Sequence, residues 1–483
     1  MQNLWSHTGR GIAVSALALA LTACQSMRGP EPVAQTSIPS SYTAAASGTS
    51  VAEQGYKDFF ADQRLLQVLD MALNNNRDLR TATLNIQRAQ QAYQITENNQ
   101  LPTIGASGSV LRQDQGGGAQ TRYNVLLGVT AYELDFWGRV RSLKDNALDS
   151  YLATQSSRDA TQIALIGQVA QAWLNYSFAN ANLKLADQTL KTQLESYNLN
   201  KKRFDVGIDS ELPGRQAQIS VETARNDVAN YKTQVAQAQN LLNLLVGQAV
   251  PENLLPQQQV TSITKQGVLG AGLPSDLLNN RPDVKAAEYR LSAAGANIGA
   301  AKAQLFPTIS LTGSAGYAST DLSDLFKSGN VLWSIGPSIN LPIFDWGTRK
   351  ANIKISKTDQ SIALANYEKS VQSAFREVND ALATRANIGD RLSAQRRLVE
   401  ATNTTYKLSN ARFRAGIDNY LTVLDAQRSA YASEQGLLIL QQANLNNQVE
   451  LYKTLGGGVK ANTADQVVQQ PSSADLKYNK TAN

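Results

Sequence analysis

Apolar residues recur at heptad spacing twice along this chain, through Leu183, Leu190, Tyr197 and Phe204 and again through Leu392, Val399, Tyr406 and Phe413. Each member of the second series lies 209 residues after its counterpart (392 minus 183, 413 minus 204). A spacing of seven returns a side chain to one helix face every two turns, so each series predicts a helix packed lengthwise on other helices. The first series sits in a proline-free tract from Leu143 to Leu212, the second in one that begins after Pro342. At the α-helical rise, about 60 uninterrupted residues reach roughly 90 Å. A domain with one compact core has no use for such a helix.

The remaining pattern is also duplicated. Leu65, Leu66, Leu69 and Leu73 share one helical face and lead to Asn74-Asn75-Asn76-Arg77-Asp78, echoed by Leu277-Leu278-Asn279-Asn280-Arg281-Pro282-Asp283. A helix is expected from each Asp to Leu101-Pro102-Thr103-Ile104 and to Phe306-Pro307-Thr308-Ile309, because proline pushes the preceding residue to extended geometry. Strands follow. Ile309, Leu311, Ala315 and Tyr317 alternate with small polar residues, as do Ile104, Ala106 and Val110. Tyr123, Val125, Leu127, Val129 and Ala131 mark a further strand, and Val331, Trp333, Ile335, Ile339 and Leu341 its counterpart. One apolar and one small polar face suits a membrane barrel, although any one such strand also fits a soluble sheet. Tyr123 and Trp333 fit either an aromatic belt or packing on neighbouring strands. Gly128 and Gly336 align at an offset of 208 but Trp137 and Trp346 at 209, which places an extra residue, and an expected bulge or turn, in Asn340 to Gly347.

The long helices are expected to begin near Asp135 to Arg139 and Phe344 to Arg349. They end at Arg203-Phe204-Asp205-Val206-Gly207-Ile208-Asp209 and Arg412-Phe413-Arg414-Ala415-Gly416-Ile417-Asp418, where Gly and then Asp punctuate a helix-turn-helix. Return helices run from about Leu212 to Val246 and from about Leu421 to Leu455. The organisation read from these signals is repeat 1 over 59–250, with a strand hairpin at about 103–136, a linker over 251–272, and repeat 2 over 273–458, with a hairpin at about 308–343. A polar tail over 459–483 is expected to be disordered.

Composition changes the picture at the N-terminus and in what it excludes. Residues 1–23 read as a secretory signal, with Arg10, an apolar Ile12 to Leu21 too short to span a membrane, and Leu21-Thr22-Ala23-Cys24 at the cleavage site. That run resembles the bacterial lipobox, which implies a covalent lipid on Cys24, the only Cys, and Gln25 after it implies outer-membrane sorting. Residues 24–58, rich in Pro, Ser, Ala and Thr, read as a tether. The chain has 483 residues, 42% apolar and 17% charged, and a net charge of +6 that falls to +5 once Arg10 leaves. Spread so thinly, that charge is a solvated surface and no nucleic-acid footprint. Its only His, His7, leaves with the signal. The usual nucleophile, base and metal-ligand sets are therefore missing, and an enzyme is not expected.

Four strands cannot close a membrane barrel, since the smallest have eight. Two strands per repeat, joined to helices too long for one domain, imply an oligomer, and three chains give twelve strands. The lipobox, the two Pro-Thr-Ile motifs, Leu273-Pro274-Ser275-Asp276-Leu277-Leu278 with Arg281-Pro282-Asp283-Val284, and Phe344 to Arg349 together resemble the TolC-type outer-membrane factors, in their OprM-like lipoprotein subgroup. The resemblance implies a mainly α fold with a membrane β-barrel: a homotrimer sharing a 12-stranded barrel and a periplasmic tunnel of antiparallel α-helices. It implies a passive exit duct in the outer membrane, partnered by a periplasmic membrane-fusion adaptor and an inner-membrane resistance-nodulation-division transporter that expels drugs. An outer-membrane duct for an ABC-linked type I export system, and a periplasmic coiled-coil scaffold lipoprotein with no pore, are the competing readings.

Spacings of four and three put Leu421, Asp425 and Arg428 on one face of the second return helix. The residues alone suit a solvated face with a weak local Asp–Arg pair. The resemblance implies instead a periplasmic gate, with Leu421 in an apolar ring and Asp425 in a carboxylate ring that could attract cations and shift its own pKa. Gln216 stands at the matching place in the first copy (425 minus 209). The resemblance also implies adaptor-docking tips at Arg203, Gly207, Ile208 and Asp209 and at Arg412, Gly416, Ile417 and Asp418.

Overall fold

The computed structural model describes residues 27–29, 32–35, 42, 49–50, 54–114, 116–265, 269–270, 278 and 280–457. The signal, Cys24, Leu273 to Leu277 and the tail lie outside them. The described elements are β1 (Thr49–Ser50), α1 (Tyr56–Phe59), α2 (Gln63–Asn75), α3 (Arg77–Asn98), β2 (Ile104–Asp114), β3 (Ala119–Glu133), α4 (Arg139–Asp205), α5 (Glu211–Val246), β4 (Leu269–Gly270), α6 (Pro282–Ala303), β5 (Thr308–Ser319), β6 (Val331–Asn340), α7 (Thr348–Arg414) and α8 (Tyr420–Thr454). Both long helices have 67 residues, about 100 Å of α-helix each. Among the described residues no helix is long and apolar enough to cross a membrane. The chain divides into two compact units, and both long helices contribute to each.

Among its described residues the first unit holds 84–114, 116–156 and 285–369 with 27–29 and 32–35. Its centre is one antiparallel sheet in the order β2-β3-β5-β6. Register sorts its faces by polarity. Ile104, Ala106 and Val110 lie opposite Val129, Leu127 and Tyr123, while Ile309, Ala315 and Tyr317 lie opposite Ile339, Trp333 and Val331. On the other face Ser310 meets Ser338 and Ser314 meets Ser334 through hydroxyl hydrogen bonds of 2.8 and 2.9 Å. Each alternating pattern therefore finds a like pattern across the ladder. Asn340 to Gly347 holds a turn, with Trp346 and Gly347 at φ 55° and 85°, and a separate bulge lies in β3 between Val129 and Tyr132, with Ala131 at φ 53°. That bulge puts an additional residue into β3 itself, so the extra residue of repeat 2 is taken up beyond β6, whose pairing with β5 is regular through Asn340.

The second unit holds 54–83, 157–265 and 370–457 among its described residues. Trp173, Phe178, Leu174, Phe59, Phe60 and Tyr452 are fully buried there. The linker read between the repeats is part of this core. Leu255 and Ile263 are buried, the Trp173 indole donates to the Leu254 carbonyl at 3.1 Å, and β4 pairs in parallel with β1. The tether reading needs a similar correction. Arg28 donates to the Ser292 hydroxyl at 2.7 Å in the first unit, and in the second Tyr42 stacks on Phe375 and Tyr56 is buried. Sparse apolar residues without a period gave no sign of this, because an extended segment can dock through isolated anchors.

Candidate functional site

The helix-turn-helix tips are built by the punctuation the sequence displays. At each tip the long helix closes with two backbone bonds: Gly207 N–H and Ile208 N–H donate to the Phe204 and Arg203 carbonyls, and Gly416 N–H and Ile417 N–H to those of Phe413 and Arg412. Gly207 and Gly416 both sit at φ 75°, which a side chain would strain. The turns leave Ile208 and Ile417 about two-thirds exposed, at 68% and 65%. Each turn is cross-braced, Arg203 Nε reaching Asp209 at 3.3 Å, and Arg412 gripping Asp418 with two bonds of 2.6 and 2.9 Å. That grip raises the Arg412 pKa and holds Asp418 below the usual carboxylate range. All eight tip residues named from sequence thus occupy two matching turns.

Leu421, Asp425 and Arg428 are all exposed on one face of α8, while Val423, Leu424, Ala426 and Gln427 are buried on the other. Leu421 and Asp425 line an open groove of about 500 Å³ with Thr402, Thr405, Ser409 and Asn419. The groove is hydroxyl-rich, with one carboxylate and one exposed leucine on its wall.

What sequence reading missed is the cluster beneath this face. Tyr420, Phe413, Val423, Leu424 and Ala217 are buried together, with Tyr197 and Tyr406 against them. The Phe413 and Tyr420 rings lie 5.6 Å apart, and the Arg203 guanidinium sits 5.1 Å from the Phe413 ring. Burial pushes the Tyr420 hydroxyl up to about 12, with the nearby Tyr406 adding and Arg428 opposing. The signal was present: Tyr420 is the next heptad position after Phe413, carried across the turn. Higher up, Tyr431 donates to Asp227 at 3.2 Å and Gln435 to the Tyr231 hydroxyl at 2.9 Å, tying α8 to α5. Burial, then the Asp227 charge, raises the Tyr431 pKa.

Comparison with known proteins follows the same geography. A family model described as outer membrane efflux protein matches residues 68–248 and 273–457. A toluene efflux pump outer membrane protein, TtgC of Pseudomonas putida, is 44% identical over 421 residues, covering 86% of this chain and 87% of its own. The cation efflux system protein CusC of Escherichia coli O157:H7 is 39% identical over 451 residues, covering 92% and 97%. Among solved structures, the open state of the MtrE outer membrane channel of Neisseria gonorrhoeae superimposes with a TM-score of 0.84 at 38% identity, over 90% of this chain and 99% of that one.

Proposed function

Because the chain belongs to the outer membrane efflux protein family, we propose that three copies assemble into the exit duct of a tripartite efflux system. The protein is an outer-membrane efflux channel of TolC-like fold, and it conducts passively what an inner-membrane transporter delivers. The observation that supports the trimer is the four-stranded sheet, whose outer strands β2 and β6 each lack a neighbour on one side among the described residues. Unpaired strand edges are not tolerated in hydrocarbon, and three copies of four strands close them. Relatives named for toluene and for cations are 44% and 39% identical to this chain. Cargo is therefore selected upstream, in the transporter, and the duct needs no binding pocket for it. The relatives are named for efflux and none of those compared for catalysis, in keeping with a duct that performs no reaction.

The tips carry docking. Ile208 and Ile417, presented by rigid turns and flanked by Arg–Asp braces, give an adaptor paired apolar knobs with fixed polar neighbours. The exposed face of α8 carries the gate. Around a threefold axis Leu421 forms an apolar ring and Asp425 a ring of three carboxylates, while Gln216 leaves the first repeat without one. Cys24 carries the lipid anchor, tested by loss of acyl mass on Cys24→Ser. The governing experiment is single-channel conductance of the purified chain in planar bilayers. Small, mostly closed, cation-preferring events are expected, and Asp425→Ala should raise the open fraction severalfold. No conductance from a folded trimer would sink the duct reading, and unchanged conductance in Asp425→Ala would remove the gate assignment.

A further inference from the structure

Beneath the second turn lies a cavity of about 370 Å³ whose polar wall is incomplete. Glu195 and Asn200 reach it from α4, Phe413 and Arg414 from the end of α7, and Tyr420 from the start of α8. Asn200 is 1% exposed. Its amide nitrogen donates to the Ser196 carbonyl at 2.9 Å, but its amide oxygen has no hydrogen-bond partner among the described residues. The hydroxyl of Tyr420, a residue 3% exposed, has none either. Buried polar atoms are nearly always paired, so two of them on residues that line one cavity call for an explanation. Two opposite charges also line it, Glu195 and Arg414, both exposed and neither in an ion pair among the described residues. Both act on Tyr406, another lining residue: burial raises its pKa most, Arg414 opposes and Glu195 adds. The first tip differs. Its smaller cavity, about 170 Å³, is lined by Glu211 and Arg215, which already hold each other at 2.8 Å.

We propose that the cavity beneath the second turn binds a small zwitterion with an apolar side chain, an α-amino acid of the phenylalanine or leucine kind. A hydrocarbon would leave both buried atoms unpaired, a simple cation would be repelled by Arg414, and a simple anion by Glu195. A zwitterion answers all four groups. Its ammonium donates to the Glu195 carboxylate and the Asn200 amide oxygen, and its carboxylate accepts from the Arg414 guanidinium and the Tyr420 hydroxyl. The apolar side chain lies against Phe413, Leu199 and Val423, which line the same space. The volume is that of a small-molecule pocket, and a mostly apolar wall with a few polar groups is the usual composition of one. The bound molecule touches α4, α7 and α8 together. It therefore fastens the second turn to α4, and the first turn, whose charges are already paired, has no equivalent.

The site is built from one chain, so its test is separate from conductance and from the duct reading. Radiolabelled L-phenylalanine is dialysed to equilibrium against the purified full chain in detergent, and saturable uptake is expected. Phenethylamine, which lacks the carboxylate, and 3-phenylpropionate, which lacks the ammonium, should each compete about tenfold more weakly or worse. Glu195→Gln and Arg414→Gln alter exposed side chains and should leave the chain folded. The first is expected to abolish the preference for phenylalanine over phenylpropionate, and the second its preference over phenethylamine, an exchange of selectivity that a merely structural role would not produce. Hydrogen exchange supplies the readout at the turn. With phenylalanine at ten times its dissociation constant, exchange of Ile417 N–H should slow roughly elevenfold if opening of the turn empties the site, while Ile208 N–H changes little. Uptake that does not saturate, or that is equal in both variants, is partition into detergent and overturns the site. An amine or an acid that binds as tightly as phenylalanine overturns the zwitterion. No uptake at all would mean that water alone fills the cavity, and would overturn the proposal.

Discussion

The two long helices are equal in length and offset by 209 residues (348 minus 139), yet they live in different surroundings. In its first 23 positions α4 buries Val140, Ser142, Ala153 and Ser156, whereas α7 buries nothing before Val371. The far ends differ too. Phe204 is 45% exposed and its counterpart Phe413 only 4%. Glu211 stands in repeat 1 where repeat 2 has Tyr420 (420 minus 209), and the second tip's phenylalanine, Phe413, has that tyrosine as its aromatic partner. Duplication supplied one scaffold with two copies of each junction. Divergence at single positions then decided which copy packs within the chain and which stays exposed in it.

The largest test of that contrast is at the tips. Phe413→Ala removes a buried ring from the Tyr420 cluster and is expected to destabilise the second turn by about 3–5 kcal/mol. Phe204→Ala, half in solvent, should cost under about 1 kcal/mol. Hydrogen exchange of the residues around Gly416 and around Gly207 would report each locally. Equal loosening of both turns would show that the tips are equivalent after all.

Next comes the anchor that opens each repeat. Arg281, buried, donates to Asp283 at 2.6 Å, Glu377 at 2.8 Å and the Thr454 carbonyl at 3.2 Å. Asn76 stands in its place in repeat 1 (281 minus 205), donating to the Leu245 carbonyl at 2.8 Å and capping α3 through Leu79 N–H at 2.9 Å. Arg281→Ala is expected to cost about 3 kcal/mol, the low end for breaking a buried pair because its carboxylates are partly wet. Asn76→Ala should cost about 1 kcal/mol, as a lost cap. Chemical denaturation in detergent distinguishes them, and the reverse order would mean the neutral anchor is the stronger.

The sheet offers a third comparison, between inner and edge strands. A Cβ on Gly128 would fall 2.2 Å from the Gly313 carbonyl oxygen across the β3–β5 pair, whereas one on Gly105 would meet nothing within 4 Å in the single chain. Gly128→Ala should therefore cost about 1–3 kcal/mol by overpacking. Gly105→Ala should be close to neutral, read as the temperature at which the folded band is lost on gels. A clear loss from Gly105→Ala would mean that β2 is as tightly approached in the assembly as β3 is within the chain.

How far the sequence exposed this plan depends on the kind of signal. Heptads, Pro-Thr-Ile motifs and period-two strands are local and repeated, so helices, strand faces and tip turns could be read from them. Tyr420 completes a heptad interrupted by a turn, and it was hidden because the helix punctuation drew the reading to a stop at Phe413. The docking of Arg28, Tyr42 and Ile263 depends on single residues meeting distant surfaces, for which no spacing exists. The face shared by Leu421, Asp425 and Arg428 was legible as helical geometry, whereas its role depends on an axis that one chain does not contain.

The smallest expected effects lie in the Arg–Asp braces, where the comparison between tips is finest. Arg412 holds Asp418 through two bonds, whereas Arg203 makes one longer contact to Asp209 and also rests over the Phe413 ring. Asp418→Asn should therefore loosen its turn, seen as faster exchange of Ile417 N–H, while Asp209→Asn should leave Arg203 on the ring and its turn little changed. Acidity supplies a check without substitution. The Asp418 pKa is lowered by its hydrogen bond and charge pairing with Arg412, so the folded turn binds its proton less readily than the unfolded chain does. The stabilisation is complete above the unfolded aspartate pKa of about 3.9 and is lost as pH falls through the lowered folded value. Because the pair is solvent-exposed, salt should screen it. Exchange at Ile417 that does not quicken on acidification below about pH 4, after correction for intrinsic rates, would mean the brace is ornamental and the glycine turn alone shapes the tip.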